Sequence, residues 1–321
     1  MDSLVDAIRD KSDRRGCAAT RAVLRFLTGG HPVAWSVVEA DVGVVTRLRA
    51  AGCVWAEDEA ALLASAANSR AELDVMVERR AGGEPLEQVL GWADFCCLRI
   101  YVDPGVFVPR RRSEYLVTVA VRMAADQRTS APPVIVDLCC GTGALGLAVA
   151  VETGAVATGW PADGGEPADA EEPVRLHAAD LDPAAVACAR RNLEPAGGLV
   201  YTGDLFTALP DSLRGRINLL ICNAPYVPSA EIAFMPAEAR DHEALLALDG
   251  GADGLAVLRR AADGAGTWLA PGGVLLVETS ERQAPAMAAA LDAGGLAART
   301  WSDDESGATV ITGTLSGNVS K

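Results

Sequence analysis

The stretch Val134-Ile135-Val136-Asp137-Leu138-Cys139-Cys140-Gly141-Thr142-Gly143-Ala144 decides the fold. It follows Pro132-Pro133 with a wholly apolar run, the mark of a strand buried on both faces of a parallel sheet, and passes through glycines into a helical pattern over Ala144 to Glu152. Glycine at such a turn lets the backbone approach a ligand closely, and in α/β sheets ligands lie beyond the carboxyl ends of the strands. The run reads as shifted from the full G-x-G-x-x-G fingerprint, which leaves open a dinucleotide, another ligand or a plain tight connection.

Working outward, strand and helix alternate. Strands are expected near Val174 to Ala179, Leu199 to Thr202, Ile217 to Cys222, Gly273 to Glu278 and Ala308 to Leu315, and helices over Pro183 to Asn192, Leu255 to Ala262 and Gln283 to Ala293. That alternation predicts a doubly wound α/β sheet. The segment 159–173, with carboxylates Asp163, Glu166, Asp169, Glu171 and Glu172 among prolines and glycines, reads as a mobile surface insertion.

Towards the amino terminus, residues 1–40 carry no sustained pattern, although Asp2 to Lys11 has the makings of a short helix. Over 41–83, Val44, Val45 and Leu48, then Leu62 and Leu63, then Leu73, Val75, Met76 and Val77 recur at helical spacings and predict a small helical domain, closing near Gly82-Gly83. Residues 84–112, where Phe95, Leu98, Ile100, Val102, Phe107 and Val108 are broken by Gly91, Pro104, Gly105 and Pro109, predict short strands and a hairpin linker. A helix from Glu114 to Asp126 then opens the last domain, 113–321.

Composition bounds the function. The chain has 321 residues, half of them hydrophobic, with 28 Lys+Arg against 43 Asp+Glu and a net charge of −15. It has the apolar content for a packed core, and its charge argues against a phosphate-gripping surface. No run of about 18 apolar residues could span a bilayer, and the charged stretch Met1 to Arg25 lacks the apolar centre of a signal peptide, so a cytoplasmic protein, expected to be a monomer, is the reading. The eight cysteines form no C-x-x-C pair and the three histidines are scattered. Reduced buried thiols are expected, with neither metal nor structural disulfide.

The chemistry gathers at strand tips. Asp180, after the second strand, can accept from ribose hydroxyls, and Asp204 with Leu205, after the third, can meet an adenine amino group and pack on its ring, with helix N-capping by Asp182 or Asp204 the plain alternative for each. The fourth strand ends in Cys222-Asn223-Ala224-Pro225-Tyr226. The Asn223 side-chain oxygen and the Ala224 carbonyl can each accept one proton of a planar NH₂, Pro225 fixes the backbone, and Tyr226 can lie against the planar group.

On these residues the chain resembles the class I S-adenosyl-L-methionine (AdoMet) dependent amino-methyltransferases, whose fourth strand is followed by Asn-Pro-Pro-Tyr. Within them it is similar to the HemK/PrmC group of protein-(glutamine-N5) methyltransferases. The likeness runs from about Val44 to Leu315 and includes Gly83-Glu84-Pro85-Leu86 with Gly91 and Phe95, Phe107-Val108-Pro109-Arg110 with Ser113-Glu114, Asp204-Leu205-Phe206, Ala247 to Gly251 with Asp253-Gly254-Leu255, and Pro271-Gly272-Gly273. It implies a Rossmann-like sheet with a small helical domain, 41–83, that recognises the substrate and is joined by a hairpin. It also implies AdoMet contacts at Asp137, Cys139, Cys140, Gly141, Thr142, Gly143, Asp180, Asp204, Leu205 and Asn223, an amide clamp at Asn223, Ala224, Pro225 and Tyr226, and Phe107 near the substrate. Ala224 departs from the first proline of the motif; because residue 224 contributes its carbonyl, Ala can still serve, with a less restrained backbone that loosens the clamp, and Cys139-Cys140 depart from Gly-Thr.

The implied reaction is methylation of a glutamine amide in a peptide chain release factor, without a metal or a histidine base. Methylation of a nucleobase amino group, of a small-molecule amine, or AdoMet binding without catalysis are the alternatives. The acidity points to a basic protein as partner, with nucleic acid disfavoured as direct substrate and no membrane.

Overall fold

A computed structural model describes residues 41–127, 131–156 and 175–317. The readings for residues 1–40 and for the insertion 159–173 fall outside them. Helices α1 (Val42–Ala50), α2 (Ala56–Ala66) and α3 (Arg70–Ala81) form where the apolar spacing requires. The Asp41 carboxylate accepts from Gly43 N and caps α1, and Ser69 accepts from Glu72 N and caps α3; α2 has no side-chain cap, but Glu57, Asp58 and Glu59 in its first turn complement the helix dipole. Val44, Leu48, Leu63, Leu73, Met76 and Val77 share a core, which Val89 of the short α4 (Leu86–Leu90) completes. Val75, counted in the stripe from sequence, faces solvent because only 73, 76 and 77 share a helical face.

The linker contains the antiparallel hairpin β1 (Trp92–Phe95) and β2 (Leu98–Tyr101). Its two-residue turn is Cys96-Cys97, with φ of 49° and 60°, the left-handed geometry of a primed hairpin turn. Cys97 is therefore exposed and Cys96 half-buried, as is Cys139 in the sheet domain, contrary to the expectation of buried thiols, whereas Cys53, Cys140, Cys188 and Cys222 are buried. Phe107 and Val108 belong to no strand.

Helix α5 (Glu114–Asp126) leads to β3 (Ile135–Leu138), α6 (Ala144–Glu152), β4 (Leu176–Asp180), α7 (Pro183–Leu193), β5 (Leu199–Thr202) and β6 (Ile217–Cys222). Short helices α8 (Ala237–His242) and α9 (Leu245–Leu248) follow, then α10 (Ala256–Trp268), β7 (Leu269–Thr279), α11 (Ala284–Ala293), β8 (Leu296–Asp303) and β9 (Ala308–Leu315). The seven-stranded sheet has the order β5-β4-β3-β6-β7-β9-β8, parallel except that β9 runs antiparallel to both β7 and β8. The dinucleotide fold would continue with a sixth parallel strand, so the β8–β9 hairpin removes that option.

The pleat sorts the core. Ile135, Leu219, Ile221 and Leu276 face α5 to α7, while Val136, Leu138, Leu220, Leu275 and Val277 face α10 and α11. Several elements differ from the sequence expectation: α4 is a helix within the stretch expected as short strands, α8 and α9 lie where no element is expected, and β7 starts at Leu269. Helix α10 runs on to Trp268 through Gly264, where the Phe206 ring occupies the space a Cβ would need. Strand β8 escapes the pattern because it is an edge strand rich in exposed polar residues. Its anchor is Trp301, whose Nε1 donates to Thr312 Oγ1 of β9 at 3.1 Å. Thr312→Val keeps the shape but leaves that buried indole N–H without an acceptor, and is expected to cost about 1–3 kcal/mol in urea denaturation; an unchanged midpoint would remove this bond from the hairpin's energetics.

Candidate active site

The tips of β3, β4, β5, β6 and β7 open on one edge of the sheet. After β3 the chain turns through Cys139 (φ 55°), Gly141 (φ 55°) and Gly143 (φ 76°). A Cβ on Gly143 would collide with Leu193, so the turn needs glycine there for space as well as conformation. The glycines keep the spacing Gly141-x-Gly143-x-x-Gly146, against the shift expected from sequence. Gly146 is required because a Cβ would lie 2.9 Å from that of Asp137. Thr142 is buried, and its carbonyl accepts from Asn192 Nδ2 at 2.9 Å. Asn192 also exchanges hydrogen bonds with the Tyr101 backbone, so it ties the loop to the hairpin.

Asp180 stands at the β4 tip, where Oδ2 accepts from Gly141 N and Oδ1 from Asp182 N, both at 2.9 Å. Asp182 is the helix cap, accepting from Ala184 N. Burial raises the Asp180 carboxyl above its ordinary range. Asp204 is not bare, since its Oδ2 accepts from Arg260 Nη2 at 2.7 Å, and Leu205 beside it is buried at φ 47°. Phe107 comes to the glycine loop, its Cβ 3.9 Å from where a Gly141 Cβ would stand, with the Arg110 guanidinium 4.9 Å from its ring centre.

Asp137 points into the protein. Its Oδ2 accepts from Gly146 N at 2.9 Å, and Oδ1 has no partner among the described residues. Burial, reinforced by the charge of Asp180, pushes its carboxyl up to about 8 against the Gly146 bond. The Cys139 thiol is held well above the ordinary thiol range by its hydrogen bond with Cys222 and by burial, so it is no thiolate nucleophile.

Beyond β6, Asn223 Nδ2 lies 3.5 Å from both Ser113 Oγ and Glu278 Oε2. Glu278, at the end of β7 and 2% exposed, also accepts from Arg112 Nε at 3.1 Å and from the Tyr226 hydroxyl at 3.3 Å. Arg112 Nη2 reaches the same hydroxyl. Burial and the neighbouring Glu278 carboxylate raise the Tyr226 phenol, which stays protonated. The backbone after Pro225 is locked to 248–254 and to Gln283: Gly250 N donates to Val227 O at 2.9 Å, Val227 N to Leu248 O at 3.1 Å, and Gln283 Nε2 to Tyr226 O at 2.9 Å. A Cβ on Gly250 would come within 2.6 Å of Pro225 O. Arg110 Nη2 meets both oxygens of Glu243 at 2.6 Å, and Glu243 also accepts from Val108 N. Burial raises the Glu243 carboxyl while Arg110 opposes it.

Sequence reading had not singled out Ser113, Glu278, Gln283, Asn192 or Glu243 for the site. The strand-tip rule that found Asp180 and Asp204 finds Glu278 when carried one strand further.

A parallel sheet closed by an antiparallel hairpin, a glycine turn after its first strand, acidic tips after the next two and an Asn-x-Pro-Tyr turn after the fourth define a class I AdoMet-dependent methyltransferase. The left-handed turn at Gly141 and Gly143 and the side-chain-free face of Gly141 fit a polar ligand seated on this loop. No protein-family model matches the chain. A release factor glutamine methyltransferase from Streptomyces coelicolor is 39% identical over 208 residues, 65% of this chain and 67% of its own, and one from Bifidobacterium longum is 32% identical over 78% of this chain and 83% of its own. A 4-amino-L-phenylalanine/4-methylamino-L-phenylalanine methyltransferase from Streptomyces pristinaespiralis is 33% identical over 241 residues, 74% of each chain. The chain belongs to the release factor glutamine methyltransferase (HemK/PrmC) family. Among solved structures, a methyltransferase from Pyrococcus furiosus is similar at 13% identity and a TM-score of 0.47, over 68% of this chain and 89% of its own. Among the described residues, no helix is long and apolar enough to cross a membrane.

With its carboxyl at about 8 when folded against 3.8 ordinarily, Asp137 binds more proton in the folded than in the unfolded chain between those values. Its contribution to stability is therefore full at the acid end and lost as pH rises towards 8. Asp137→Asn, which cannot titrate, is expected to flatten the fall of Tm between pH 5 and 8, roughly the window these values bracket. An equally steep fall in the variant would contradict the buried neutral carboxyl.

Proposed function

We propose that this chain transfers a methyl group from AdoMet to the side-chain amide nitrogen of a glutamine in a peptide chain release factor. The observation that carries the reading is the arrangement at the β6 tip. Asn223 spends its NH₂ group on Ser113 and Glu278, and among the described residues neither its Oδ1 nor the Ala224 carbonyl accepts a hydrogen bond. Two acceptors side by side match the two protons of a carboxamide. An amide nitrogen is a poor nucleophile because its lone pair is delocalised, and accepting both N–H bonds returns density to it and aims it. AdoMet supplies an electrophilic methyl on a sulfonium. The nitrogen forms the new bond to carbon, the C–S pair leaves with sulfur, and one amide proton passes to water.

Family membership supports the substrate, since the Streptomyces coelicolor and Bifidobacterium longum relatives are release factor glutamine methyltransferases. On the cofactor side we assign Asp137, Cys139, Cys140, Gly141, Thr142, Gly143, Asp180, Asp204 and Leu205, with Asn223 touching both ligands and Phe107 walling the pocket. Residues 41–83 are assigned to substrate recognition, joined by the linker 84–112 to the methyltransferase domain. A second reading has one observation in its favour: the Streptomyces pristinaespiralis relative acts, by its name, on 4-amino-L-phenylalanine. A small primary aromatic amine also offers two N–H bonds to the same acceptors.

Incubation of a recombinant bacterial release factor with AdoMet and this protein is expected to add one methyl to the glutamine of its Gly-Gly-Gln loop, read by peptide mass spectrometry. Methylation of 4-amino-L-phenylalanine with none on the release factor would favour the second reading. Asn223→Ala is expected to lower kcat by roughly 100-fold or more, the scale of losing a preorganised polar contact. Its AdoMet affinity, measured calorimetrically, should stay within about threefold. An active variant would refute the clamp.

A further inference from the structure

We infer that Glu278 is a positioning residue that sets which end of the Asn223 carboxamide faces the substrate. The inference rests on the clamp reading above. An asparagine side chain is nearly symmetric in shape and opposite in chemistry at its two ends, so a clamp built on it works in only one of two flips. Ser113 Oγ cannot choose between them, because a hydroxyl donates as readily as it accepts. An ionised carboxylate only accepts. Glu278 Oε2, 3.5 Å from Asn223 Nδ2, therefore admits the NH₂ end and rejects the oxygen end, which leaves Oδ1 turned to the pocket.

The carboxylate is itself arranged for this task. It is buried at the end of a central parallel strand, and its other oxygen, Oε1, is occupied by Arg112 Nε at 3.1 Å and the Tyr226 hydroxyl at 3.3 Å. The two donors on Oε1, one of them the Arg112 guanidinium, leave Oε2 to Asn223. Arg112 and Ser113 come from the linker, so the stretch that precedes the methyltransferase sheet also sets the chemistry of its fourth-strand turn. Among the described residues, none of these side chains shares a hydrogen bond with the glycine loop.

A sign reversal tests it. In the wild-type background Glu278→Gln introduces an NH₂ that can satisfy the wrong flip of Asn223, and kcat on the release factor is expected to fall about tenfold, with AdoMet affinity within about threefold. Asn223→Asp has no wrong flip, but its carboxylate stands against Glu278, so it too is expected to be slow. Combining them removes the repulsion and gives one aspartate oxygen a donor while the other faces the substrate. N223D/E278Q is therefore expected to run about fivefold or more above N223D. A further loss on adding E278Q to N223D would mark Glu278 as merely structural and overturn the inference.

A second measurement needs no substrate and no variant of Glu278. The Asn223 side-chain NH₂ resonance, assigned by its loss in N223D, is expected to be protected from solvent exchange in the substrate-free protein. Exchange as fast as that of an exposed asparagine would overturn the orienting role even where N223A is inactive. Protection together with an active N223A would instead uphold the orientation and refute the clamp.

Discussion

A carboxylate buried at the end of β7 has to be answered, because an unpaired charge in that position costs several kcal/mol. Glu278 is answered by Arg112, by the Tyr226 hydroxyl and by Asn223, three groups from two chain segments outside its own strand. Two residues upstream of Arg112, Arg110 answers a second buried carboxylate, Glu243, from the loop after β6. The linker is thus pinned twice within a few residues, once to the sheet and once to the loop that follows the clamp. Neither pin can be lost without stranding a buried charge, so the linker, the clamp and the end of β7 hold their places together.

The same linkage reaches the helices at the amino-terminal side. Arg80, itself paired with buried Glu59, lies 3.3 Å from Glu238 of α8, and Gln88 of α4 donates to the Val106 carbonyl at 3.0 Å. Asn192 joins the hairpin to the glycine loop through Tyr101 and Thr142. The cofactor side and the clamp side are therefore fastened to one linker by different bonds.

Much of the sheet is legible in the sequence, because parallel strands buried on both faces read as apolar runs and the helices between them open with proline or follow glycine turns. The first helix after β4 shows this well, with Asp182 capping and Pro183 in its first turn. What escapes has a physical reason in each case. Strand β8 lies at the sheet edge and carries Arg299, Ser302 and Asp303, so no run marks it. Helix α10 passes Gly264, a residue that ordinarily signals a stop, because the Phe206 ring fills that space. Of the site, the residues on strand tips are legible by position, whereas Ser113, Gln283 and Asn192 act through contacts that cross up to about a hundred residues of chain. The Asp204 pairing with Arg260 is of the same kind, since the two lie on elements that only the fold brings together.

The substitution of Ala224 for the motif's first proline can now be weighed. From sequence alone it predicts a looser clamp, because alanine does not fix its own backbone. The fold supplies restraint from other directions. Asn223 is bonded on one side of Ala224, and Pro225 fixes φ on the other. Beyond them Tyr226 O accepts from Gln283 and Val227 is bonded in both directions to Leu248 and Gly250. Ala224 itself is 2% exposed, so its carbonyl moves only if packed neighbours move. A proline there would add stiffness to a turn already held at both ends. Under the clamp reading, the alanine therefore leaves the position of the carbonyl intact, and any change it makes falls on the core packing beside Val136, Leu138 and Leu220, where a pyrrolidine ring gives way to a methyl group.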